Sequence, residues 1–127
     1  WVDSAAIQKE AAKKQKQKFE DLAAKKFALE EELNRLRKEL YEKEIEIIEG
    51  LFEHKPEVKA EIFEETKKVR AKYYDSNLSD QENYISRISF RTAVHNLVRE
   101  KYVKLFEALN MVYKQRIDKV NKTLRML

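Results

Sequence analysis

The chain has one glycine, one proline and no cysteine in 127 residues. Ordinary usage would give about nine glycines and six prolines. Turns draw on Gly for positive φ and on Pro for a fixed φ, so few turns are available. A sandwich, barrel or doubly wound sheet needs a turn every dozen or so residues, and all three are excluded. Without Cys there is no disulfide framework, no thiolate metal site and no cysteine nucleophile. One Gly cannot build a phosphate-cradling loop, and neither H-E-x-x-H nor G-x-S-x-G occurs. No apolar run nears the ~18–20 residues of a membrane span. No charged segment leads into an apolar core as in a secretory leader. These absences fit a soluble, intracellular chain, although the compartment itself stays open. The first residue is Trp1 rather than Met, which reads as a processed chain or a fragment.

What the chain has in abundance is charge: 27 Lys and Arg against 23 Asp and Glu, or 39% of residues. An average domain carries about 25%. Few turns and many good helix formers predict an all-α fold. The expected architecture is an elongated helical hairpin or three-helix coiled-coil bundle, forming one unit over residues 1–127. Two long helices (4–54 and 80–126) flank a short one (57–74).

The first helix is capped by Asp3 or Ser4, whose side-chain oxygens accept an orphan N–H. Its seam is Leu22, Leu29, Leu33, Leu36, Leu40 and Ile47, with Phe19 ahead of them, at steps of 3, 4 or 7. Such a narrow stripe is what a coiled coil presents. After Leu40, the residues Tyr41, Ile45, Ile48 and Phe52 widen the apolar face, which calls for more than one neighbour. Gly50 through Pro56 closes the helix. Pro56 suits the first turn of the next one, where its missing N–H is not needed. The middle helix shows Val58, Ile62, Thr66, Val69 and Tyr73. Asp75 to Ser79 is a turn cluster, and Ser79 with Glu82 fits a capping box. The last helix then runs without Gly or Pro. Ile85 and Ile88 start its stripe, and Val94, Val98, Tyr102, Leu105, Leu109 and Val112 continue it. Phe106, Tyr113, Ile117, Val120 and Leu124 form a second row.

Short connections favour antiparallel neighbours. The three helices should overlap near 37–54, 57–74 and 79–97, leaving residues 5–36 and 98–127 as single-helix arms. In a second arrangement the last helix runs back along the first and the middle helix is looped out. If the 98–127 arm is bare, its apolar rows are a docking surface. Tyr102, Leu105, Phe106, Leu109, Val112, Tyr113, Ile117, Val120 and Leu124 are then the partner-binding residues, because a monomer does not tolerate so large an apolar patch.

Charge is segregated. Residues 8–26 hold seven Lys and three acids; residues 27–54 hold four bases and nine Glu. Opposed blocks can set register and partner choice between helices. Catalysis has little to draw on. His54 sits at a helix end, and His95, one step from Val94, reads as a packing or surface residue. Neither carries a defined metal set. No catalytic residue, cofactor, metal or small-molecule substrate is expected. A basic stripe of Arg87, Arg91 and Arg99, with His95 between, offers an alternative partner: the phosphates of a nucleic acid or an acidic membrane surface.

The run Leu40-Tyr41-Glu42-Lys43-Glu44-Ile45-Glu46-Ile47-Ile48-Glu49-Gly50 resembles the end of the long dimerisation helix of nucleosome assembly proteins. The resemblance implies a backbone helix through which histone-chaperone chains pair. That family's acidic tracts and following β-rich domain have no counterpart here, where the net charge is +4. Taken together, the residues predict a non-enzymatic helical scaffold or interaction subunit. It would bind protein partners, or itself, through apolar helix seams.

Overall fold

A computed structural model describes residues 3–73 and 79–127, with the side chains of 68–73, 80 and 82–89 outside that description. The described residues form four α-helices and no strand: α1 (Ser4–His54), α2 (Pro56–Tyr73), α3 (Asp80–Lys101) and α4 (Val103–Met126).

Asp3 is the cap of α1, because the Ala5 amide donates to its carboxylate at 3.0 Å. Nothing then interrupts 51 residues of helix, Gly50 included. Gly50 has no positive φ and serves no turn. Lys55 alone separates α1 from α2. Its amide still donates to the Leu51 carbonyl at 2.9 Å, and its own carbonyl accepts from Val58 at 2.9 Å. Pro56 opens α2, as its absent N–H allows. The turn residues Asp75 to Leu78 lie outside the described residues, as do the side chains of Val69, Tyr73, Glu82, Ile85 and Ile88. The backbone of α3 starts directly after Ser79, where the capping pattern set it.

The last helix differs from expectation in one place. A single residue, Tyr102, divides it into α3 and α4. The Tyr102 amide still donates to Val98 at 2.8 Å, but the Tyr102 carbonyl accepts from Leu105 at 2.9 Å, one residue short of α-helical spacing. The buried stripe passes through this tightened turn by way of half-buried Tyr102, four residues from both Val98 and Phe106. Before it, Val94, His95 and Val98 are buried; after it, burial recurs at Phe106, Tyr113 and Val120, seven residues apart.

The chain divides into two compact units. In the unit of residues 40–111, the end of α1 meets α2, α3 and the start of α4. Ile48, Val58, Ile62, Val94, Val98 and Phe106 form one core, with Ile62 and Val98 fully enclosed. Phe63 stands edge-on to Phe52 at 6.0 Å and to Phe90 at 5.8 Å. The Thr66 hydroxyl satisfies itself by donating to the Ile62 carbonyl at 3.0 Å. The core also encloses a carboxylate, Glu44, which is 3% exposed. Its Oε2 accepts from Arg99 Nε at 2.8 Å and lies 3.2 Å from His95 Nε2. Tyr41 stacks on the His95 ring at 4.9 Å. A buried carboxylate without such partners would cost several kcal/mol.

In the unit of residues 1–39 and 112–127, α4 packs against α1. Leu33 and Leu36 from α1, and Tyr113 and Val120 from α4, are buried. The Tyr113 hydroxyl donates to Glu39 Oε2 at 3.3 Å, and the Arg116 guanidinium lies 5.4 Å from the Tyr113 ring centre. The end of the chain is therefore not the bare arm expected from helix lengths. It lies against α1, while α2 keeps its place in the other unit's core through Val58 and Ile62. Of the second arrangement, the packing of the last helix against the first is found and the looped-out middle helix is not.

Candidate interaction surface

The predicted seam of α1 divides into a covered and an uncovered part. Leu33 and Leu36 are buried, Leu29, Leu40 and Ile47 are half-buried, and Leu22 is exposed. Every residue from Asp3 to Ala28 is exposed. Phe19 is 64% exposed and Leu22 38%, although both continue the heptad that α4 covers farther along. Ile7 and Phe27 are exposed as well. Around them stand seven Lys and three acids over residues 8–26.

Beside the covered part runs a groove of about 580 Å³ between α1 and α4. Leu29, Leu36 and Val120 supply its apolar lining. Glu32, Arg35 and Glu39 contribute from α1, and Arg116, Lys119 and Thr123 from α4. Glu32 and Arg35 approach each other at 3.8 Å, both well exposed. Such a surface ion pair contributes little and leaves both groups available.

The predicted partner-binding residues separate by face. Phe106, Tyr113 and Val120 are buried inside the chain. Tyr102, Leu109, Ile117 and Leu124 are half-buried, and Leu105 and Val112 are exposed. Val103 and Met111, which the sequence pattern did not single out, are exposed on α4 too. The predicted basic stripe does not stand free. Arg91 is exposed, but Arg99 is engaged with Glu44 and His95 is buried against the same carboxylate. The side chain of Arg87 lies outside the described residues.

Glu44 escaped sequence reading because the Glu-rich run around it looks like a solvated face. A signal was present: Leu40, Tyr41, Ile47 and Ile48 stand at its −4, −3, +3 and +4 positions, so it sits on the apolar stripe. On α3, Lys101 is held above its ordinary pKa of 10.5, first by its hydrogen bond with Glu65 and further by Glu61. No group of three or more His, Cys, Asp or Glu among the described residues is placed to hold a metal ion. No helix among them is long and apolar enough to cross a membrane.

No protein family, curated protein or solved structure matches this chain.

Proposed function

We propose that the protein is a non-enzymatic interaction subunit that docks through the uncovered apolar stripe of α1. One observation carries the reading. The heptad that packs Leu33 and Leu36 under α4 continues through Leu22 and Phe19 with none of the described residues over it. A lone helix in water is marginal and draws its stability from packing an apolar face, so a helix that keeps this pattern without internal cover is suited to an external one. Val103, Leu105, Met111 and Val112 on α4 are individually exposed as well. A photo-reactive phenylalanine analogue at position 19 tests the role in the cells that make the protein. Discrete cross-linked products are expected; recovery of the uncross-linked chain alone would sink it.

Polyanion binding is the second reading. The exposed run of Lys13, Lys14, Lys16 and Lys18 favours it, and the engagement of Arg99 by Glu44 weighs against it. Salt separates the two: phosphate binding falls steeply as salt rises, while burial of an apolar seam hardly changes. A histone-chaperone-like pairing through residues 40–50 is less favoured, because Glu44 and Ile48 of that run are used inside the chain.

A further inference from the structure

We infer that the occupant of the α1 stripe is a second copy of this chain, paired antiparallel, with each copy's residues 12–22 seated beside the other's α1–α4 groove. The inference rests on the interaction role proposed above and names its partner.

Charge selects both the copy and its direction. Residues 8–26 carry seven Lys against three acids, and residues 27–54 carry nine Glu against four bases. Side-by-side α1 helices in parallel would set like blocks together. Antiparallel, in the register set below, the four Lys of residues 13–18 lie along the other copy's residues 30–35, which hold three Glu and one Arg.

Side-chain size selects the register. Antiparallel heptads pair residues whose numbers have a constant sum. With Phe19 set opposite Leu29, that sum places Ala12 opposite Leu36 and Gln15 opposite Leu33. Leu33 and Leu36 are already packed under α4, so little room is left there, and the residues facing them are a small Ala and a slender Gln. Leu29 is only half-buried and lines the groove, and the large Phe19 falls on it. The same register sets Lys16 opposite Glu32, which lines that groove, with Lys14 and Lys18 on either side. The relation is two-fold, so each copy supplies both the stripe and the groove, as a closed dimer requires.

The absence of cysteine makes the geometry directly testable. Sedimentation of the purified chain should give about twice the 15.2 kDa of one copy. Under mild oxidation, the F19C/L29C double variant should form an intermolecular disulfide. F19C alone should not, because in the antiparallel register the two positions 19 stand roughly 15 Å apart along the axis. Faster cross-linking of F19C alone would indicate a parallel pair and overturn the proposal. F19D/L22D should sediment as a monomer with its helicity kept, since both side chains are exposed within one copy. K14E/K18E should weaken dimerisation by about tenfold, and adding E32K should restore part of it. A single 15.2 kDa species at every concentration overturns the second-copy proposal. In that case a cross-link from position 19 to a different protein would leave the interaction role standing.

Discussion

The two halves of α1 follow one heptad and have opposite fates. From Leu33 onward the stripe is packed by α4 in one unit, and by α2 and α3 in the other. From Asp3 to Ala28 every residue is exposed. Helix-forming residues fill both halves, so local propensity does not distinguish them. What differs is the reach of the other helices: among the described residues, α4 is buried against residues 29–39 of α1 and no farther along the stripe. Periodicity therefore fixes which face of a helix seeks cover, and the lengths of the other elements decide which stretch receives it.

The strongest way to break this comparison uses one residue type at two points of one seam. Leu33→Ala removes a buried side chain and should cost ~2–4 kcal/mol in urea unfolding. Leu22→Ala at the bare end should change stability by less than ~0.5 kcal/mol in dilute solution. Equal losses at the two positions would mean that the first half of α1 is covered within the single chain.

Glu44→Ala comes next, at about 1.5–3 kcal/mol, because it leaves a buried His95 and the Arg99 guanidinium without their shared acceptor. Glu31→Ala, on an exposed face of the same helix, should do nothing measurable. Gly50→Ala should raise stability by about 0.5–1 kcal/mol, as a Cβ there meets open space and the helix needs no glycine. The smallest effect belongs to Lys101. Its folded pKa is raised, so its contribution is fully present below the ordinary 10.5 and is lost as pH climbs through the folded value. The stability gap between wild type and Lys101→Met should therefore be constant near neutrality and shrink only in strong alkali.

Most of the helical fold was legible in the sequence. The scarcity of Gly and Pro, the heptad of α1, Asp3 as a cap and Pro56 as a starter all correspond to features of the structure. The break at Tyr102 was not, because it follows from no helix-breaking residue. It consists of one tightened turn between two buried stretches, Val94–Val98 and Phe106 onward. Nor could spacing foresee which side of the last helix would be used. Phe106, Tyr113 and Val120 share a seven-residue step with no mark to separate them from the row of Leu105 and Val112, which is exposed. The Glu44 cluster joins groups 51 and more positions apart, a relation that only tertiary packing creates.

One consequence of the bare half of α1 concerns time rather than structure. Backbone amides in a helix exchange with solvent when the helix opens, and opening is governed by what lies against it. Amides near Ile48 are held by a packed core, so their exchange should wait on unfolding of that unit. In a single copy, at dilutions where no partner is bound, amides between residues 4 and 28 have only their own helix to resist opening, and they should exchange within the dead time of a manual labelling experiment. A single unbroken helix would then carry a gradient of protection along its length, and anything that docks on Phe19 and Leu22 would announce itself by flattening that gradient.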